Sequence, residues 1–275
     1  MSHTSSQQNL FHDRIAARLA PLLPAGSKLL LGLSGGMDSV VLLHVLHCLA
    51  PELGFTLSAM HVHHGISPNA DAWAQFCTAL CARYGIPLDI RHVNIAPLQE
   101  VHGIEASARK LRHAAFAESD CCHIALAHHA DDQAETLMLQ LLRGAGLRGV
   151  AAMPLMREQG RQLLLRPMLE FGRMELLAYA QQHALDWIED ESNADDSYPR
   201  NFLRHRLFPV LAQRFPAWRE TLGRSTQHFA EAAEILSEVA LADGAGEVPL
   251  AVARLEALSP ARARNLLRQH LHLQG

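Results

Sequence analysis

The chain has 275 residues, 49% of them hydrophobic and 19% charged, with Lys+Arg 24 against Asp+Glu 28 for a formal net charge of −4. That balance excludes a disordered or fibrous chain and suits one sizeable α/β domain plus something smaller. No apolar run approaches the roughly 18 residues of a membrane span, and the opening MSHTSSQQNLFHDR lacks a signal peptide's plan, so a cytoplasmic protein with no membrane partner is expected.

In chain order, a leading helix over Asn9–Leu19 ends at Pro21 and Pro24. Lys28–Leu33 is an apolar run suited to a parallel strand covered on both faces, and Val40–Leu49 is apolar nearly all round, as in a helix buried against a sheet. Between them Ser34-Gly35-Gly36-Met37-Asp38-Ser39 breaks the pattern. Paired glycines allow close backbone approach to a ligand, and amides at a helix start make an anion site. Ser34 and Ser39 add hydroxyls, and Asp38 adds a carboxylate able to hold Mg²⁺ on a nucleotide. The plain alternative is a tight turn with a capped helix.

Phe55–Val62 is a second strand, and His61-Val62-His63-His64-Gly65 falls at its carboxyl end, where α/β sheets bind ligands. An ordinary polar strand end accounts for those histidines equally well. Asp71–Tyr84 is an amphipathic helix and Leu88–Ile95 a third strand. The helix Gly103–Ser119 puts Arg109 and Arg112 on one face, as a solvated stripe or a binding one. A fourth strand, His123–Ala127, leads into His128-His129-Ala130-Asp131-Asp132-Gln133-Ala134-Glu135-Thr136 and a helix reaching Arg143. Four β–α units predict a doubly wound, Rossmann-like parallel sheet with three polar clusters in one cleft.

Arg143-Gly144-Ala145-Gly146-Leu147-Arg148-Gly149 is a basic loop, read as a helix cap or a phosphate contact. Leu163–Arg166 is a short strand and Arg173–His183 a helix, followed by an acidic loop at Trp187–Asn193 and a basic helix start at Tyr198–Arg206. From Pro216 the chain turns mostly helical, with a strand expected at Val248–Val252 and a further small unit from Leu255. It stops at Gly275 without an obvious finish, which reads as a fragment or a shortened form; the expected division is 1–215 and 216–275. The five cysteines form no C-x-x-C pair, and Cys77 and Cys81 suit buried thiols.

The loop resembles that of the N-type ATP pyrophosphatases, with the adenine nucleotide alpha hydrolase-like fold. The ordered set SGGMDS, HVHHG, GIEASARKLR, HHADDQAET, LLRGAGLRG and WIEDESN…YPRNFLRHRLFPVL is similar to the bacterial tRNA(Ile)-lysidine synthetase family over roughly residues 25–215. His63 departs from it, since many members have Asn there. Long members carry further C-terminal tRNA-binding domains, which are incomplete or absent here.

The resemblance implies ATP and Mg²⁺ as cofactors, with free L-lysine and the isoleucine tRNA bearing the CAU anticodon as partners; a homodimer is one open option. It places Ser34, Gly35, Gly36, Met37, Asp38, Ser39 and His61 on the nucleotide and Asp38 and Asp132 on the metal. It makes Asp38, His128, Asp132, Arg112 and Arg200 the catalytic set, with Arg109 an alternative to Arg112. Glu135 would orient the lysine amine, and Arg143, Arg148, Arg204 and Arg206 would meet tRNA. A cytidine 2-thiolating enzyme of the same superfamily is the rival, and it calls for cysteine pairs that this sequence does not supply.

Overall fold

The computed structural model describes residues 2–274. Its chain order is α1 (Ser2–Leu19), β1 (Lys28–Gly32), α2 (Met37–Leu53), β2 (Thr56–His63), α3 (Ala70–Tyr84), β3 (Leu88–His92), α4 (Ala96–His102), α5 (Ile104–Ala117) and β4 (His123–Ala125). Then follow α6 (Ala130–Leu142), α7 (Leu147–Val150), β5 (Met156–Gln159), β6 (Gln162–Leu165), α8 (Arg173–Gln182) and a 3₁₀ turn at Glu191–Ala194. The rest is α9 (Pro199–Phe202), a π-helical turn at Leu203–Leu207, α10 (Phe208–Arg214), α11 (Trp218–Ala242), α12 (Val252–Glu256) and α13 (Pro260–Gln274).

The chain divides into two compact units, 1–132 with 154–209, and 133–153 with 210–275. The first holds a six-stranded sheet in the order β3-β2-β1-β4-β6-β5, parallel except for β5. From β1 the chain winds outward to β3 and returns to β4 on the other side of β1. The β1/β4 junction is therefore the topological switch point, where the loops after two adjacent strands diverge and leave a crevice.

Alternation sorts the strand residues onto two faces. Leu29, Leu31, Ala59, Ala125 and Leu165 pack with α1, α2, α3 and α8. Leu30, Met60, Ile124, Leu126 and Leu164 pack around Phe116 of α5. A Cβ on Gly32 would lie 2.8 Å from the Phe116 ring, so glycine there lets α5 approach the sheet. The second unit is helical, with α7 and α13 packed on α11. Among the described residues no helix is long and apolar enough to cross a membrane.

One local expectation changes, and two elements appear that the sequence pattern does not announce. Residues 248–252 are not a strand: Val248 and Val252 are exposed, Pro249 has no amide to give a ladder, and α12 begins at Val252. The segment after β3 forms α4, a helix that the sequence pattern does not announce, and β5 adds an antiparallel edge strand.

Candidate active site

The loop between β1 and α2 is braced from within. The buried Ser39 hydroxyl accepts from the amides of Ser34 (3.3 Å) and Gly35 (3.1 Å), and donates to the Gly36 carbonyl at 2.9 Å. The Gly36 amide donates to Ser34 Oγ at 3.3 Å. Gly35 has φ +88°, a conformation that penalises any side chain, and a Cβ there would meet Ile188 Cδ1 at 2.7 Å. The Ile188 amide donates to the Gly35 carbonyl at 2.9 Å, which ties the acidic segment after α8 to the loop. Met37 is buried at the start of α2. His61 is buried beneath the loop, its Nδ1 bonded to the Leu33 carbonyl at 2.9 Å.

Asp38, in the first turn of α2, has one oxygen, Oδ1, enclosed and without a hydrogen-bond partner. Its other oxygen lies 3.5 Å from His129 Nε2, which is also 3.6 Å from Asp132 Oδ2. Asp131 Oδ2 is 3.7 Å from Nδ1 of the same ring and accepts from the Arg173 amide at 2.9 Å. Burial alone would lower the pKa of His129, but Asp132, Asp38 and Asp131 outweigh it and raise it to about 9. The three carboxylates thus favour the protonated form of His129, a role that the sequence alone does not give it. Asp132 also accepts from the His129 amide at 2.9 Å and faces Arg204 at 4.0 Å.

His128 lies on the opposite face. Burial, and then the charges of Arg166, Arg112, Arg109 and Arg200, hold its pKa well below the ordinary value. Nδ1 of His128, Nε of Arg112 and Nε of Arg166 are enclosed with no hydrogen-bond partner. Arg200, at the start of α9, lies 3.4 Å from Glu105. Asn201 is buried and fixes α9 by donating to the Ser192 and Asp195 carbonyls, each at 2.9 Å. Neither Asn201 nor Arg166 stands out in the sequence.

Other candidates have different surroundings. Arg206 is exposed and bonded to Asp196 at 2.7 Å. Glu135, Arg143 and Arg148 belong to the second unit: Glu135 is fully buried, Arg143 is exposed, and Arg148 bonds Ser237 at 2.8 Å and also Gln269. Cys77 and Cys81 are buried free thiols, and burial pushes the Cys77 thiol up to about 12. Among the described residues no three His, Cys, Asp or Glu side chains form a ready metal cage.

A sheet wound around a switch point, with a serine-braced glycine loop opening the helix after its central strand, defines a nucleotide-binding α/β protein. Residues 7–211 match the PP-loop domain family, and the chain belongs to that family. It is similar to a tRNA(Ile)-lysidine synthase of Nitrosomonas europaea, 46% identical over 98% of this chain and 58% of that relative. A tRNA(Ile)-lysidine synthase of an Azoarcus species is 48% identical over 91% of this chain and 56% of its own length. The chain thus spans a little over half the length of these relatives. Among solved structures, a U34-tRNA thiolase from Methanococcus maripaludis shares the fold with TM-score 0.66 and 19% identity, over 80% of this chain and 77% of that one.

Proposed function

We propose that the chain carries the catalytic part of a tRNA(Ile)-lysidine synthetase, acting on the wobble cytidine of the CAU-anticodon isoleucine tRNA in the cytoplasm. The observation that carries this reading is the division of one strand edge into two half-sites. Asp38, Asp132 and His129 stand beside the glycine loop, while Arg109, Arg112, Arg200 and His128 stand on the other face. The likeness to two lysidine synthases over more than nine-tenths of the chain supports it.

In the first step the cytosine 2-carbonyl oxygen attacks the α-phosphorus of ATP. The bond to the bridging oxygen breaks and pyrophosphate leaves. The amides of Ser34, Gly35 and Gly36, held by serine hydroxyls at 3.1–3.3 Å, are the donors that phosphate oxygens would take at this helix start. Charge developing on the phosphates needs preorganised donors, and Arg112 and Arg200 supply cations that arginine geometry suits. In the second step the lysine ε-amine attacks C2, the C2–O bond breaks with AMP as leaving group, and the amine gives up a proton. Glu135 orients that amine in this reading.

The partnerless Asp38 Oδ1 fits a magnesium ion, which is usually held by one or two carboxylates together with substrate phosphates. Asp38 and Asp132 would hold it, and it supplies neutralising charge on the phosphates. We assign catalysis to residues 1–215 and tRNA contact to Arg143, Arg148, Arg204 and Arg206, with 216–275 beginning the tRNA-binding part.

The deciding experiment mixes the chain with ATP, radiolabelled lysine and a CAU-anticodon isoleucine tRNA transcript. Label is expected on the RNA with pyrophosphate released. Asp38→Ala is expected to lower the rate on the order of 100-fold or more. Folded protein that consumes ATP without RNA and leaves the transcript unlabelled would refute the reading.

A further inference from the structure

Arg166, the residue after β6, is 1% exposed, the largest of the fully buried side chains. A buried arginine is costly unless its charge is matched. Here Nη1 donates to the Pro154 carbonyl at 2.8 Å and Nε has no partner. Among the described residues no carboxylate lies within ion-pair distance of it. Burial, then Arg157 and Arg109, lower its pKa to about 10, so it remains charged at neutral pH. The fold therefore keeps an uncompensated cation inside.

Strand register shows what that cation faces. Leu164 is opposite Ile124, and the Leu126 amide donates to the Leu165 carbonyl at 2.9 Å. Arg166 is thus level with Leu126, on the α5 face that Leu164 and Leu126 share. Two residues beyond Leu126, on the same face, is His128. The charged groups that face His128 are Arg166 from the end of β6, Arg112 and Arg109 from α5, and Arg200 from α9. All are positive, and of the four only Arg166 is fully buried.

We propose that Arg166 is a positioning residue whose buried charge keeps His128 uncharged, so that the imidazole presents a lone pair to the cleft. The use made of that lone pair rests on the proposed lysidine chemistry: a neutral imidazole can take the proton that the attacking amine must lose, and an imidazolium cannot. Burial and the Arg166 charge are the two largest influences holding His128 in its neutral form.

Ring-¹³C-histidine spectra of the full chain read this directly, with the His128 signal assigned by its loss in His128→Asn. In the unsubstituted protein the ring is expected to stay neutral well below the ordinary histidine midpoint. Arg166→Met should raise its midpoint by about one pH unit or more, and Arg166→Lys should leave it close to the starting value. No tRNA, ATP or lysine is needed, so a negative result here is distinct from failure of the lysidine reading. If that reading holds, the acid limb of kcat moves up with the midpoint in Arg166→Met while KM for ATP does not. A folded Arg166→Met with an unchanged His128 midpoint overturns the proposal. Failure of both Arg166→Met and Arg166→Gln to fold overturns it too, since the residue is then structural.

Discussion

At the scale of single residues, His128 and His129 show what alternation does to chemistry. One peptide unit sends the first ring toward four arginines and the second toward three carboxylates, with pKa displacements of opposite sign. Composition and motif spacing pick out both histidines, but which ring meets which charge depends on strand register with β1 and β6. The family resemblance singles out His128 and leaves His129 without a role, because the sequence does not show that register. Arg166 escapes for a related reason, since one arginine after an apolar run reads as a solvated strand end. Gly35, by contrast, is legible, and the geometry makes its requirement testable. Its φ of +88° opposes a side chain, and so does the Ile188 methyl, 2.7 Å from where a Cβ would stand. Gly35→Ala is expected to cost about 1–2 kcal/mol of stability and to raise KM for ATP more than it lowers tRNA binding. Nucleotide and RNA titrations of the same variant check this, and equal losses in both would count against the loop's assignment to ATP.

At the scale of elements, the β–α units are readable because each apolar run is bounded by glycine, proline or charge, and buried parallel strands carry nothing else. The pieces that escape are those where tertiary context decides. β5 is polar, MREQ, and exists because it pairs with β6 in a hairpin. Residues 248–252 carry valines at both ends yet find no strand to join. The helix start read at Tyr198–Arg206 continues to Arg214 but passes through a π turn at Leu203–Leu207, a distortion that often accompanies functional sites. Asn201 anchors the start of that stretch through two carbonyls in the acidic segment. Asn201→Ala leaves both carbonyls without that donor and should cost about 1–3 kcal/mol. Because Arg200 is its neighbour, kcat should fall while KM for ATP stays near its starting value. Denaturant unfolding and steady-state kinetics test the two halves separately, and an unchanged kcat would detach Arg200 from the chemistry.

At the scale of the molecule, the formal charge of −4 conceals a segregation of charge at one sheet edge, and buried histidines on both sides of it make stability depend on pH in a calculable direction. His44, His64 and His113 each have a pKa lowered to about 4, chiefly by burial, and His128 lies well below 6.5. In the unfolded chain these rings bind protons below about 6.5, while in the folded protein His44, His64 and His113 resist doing so until about pH 4, and His128 is held well below 6.5. The unfolded state then binds more protons, so stability rises with pH across that interval and is lost as acid is added. His129 has the opposite sign. Its folded pKa of about 9 means its contribution is complete below about 6.5 and drains away as pH climbs toward 9. His61, His123 and His183, lowered chiefly by burial as well, act in the same direction as His44, His64, His113 and His128, so the profile should peak near neutrality and fall more steeply toward acid. Allowing for solvent screening of these half-buried rings, His44, His64 and His113 are each worth on the order of 1 kcal/mol. Urea midpoints at pH 5, 7 and 9 give the comparison: the drop from 7 to 5 should exceed the drop from 7 to 9. His44→Gln removes the ring that bonds Tyr179 Oη at 2.8 Å. It should shallow the acid limb and leave the alkaline limb unchanged, whereas a symmetrical or flat profile would show that these rings titrate alike in the folded and unfolded chains.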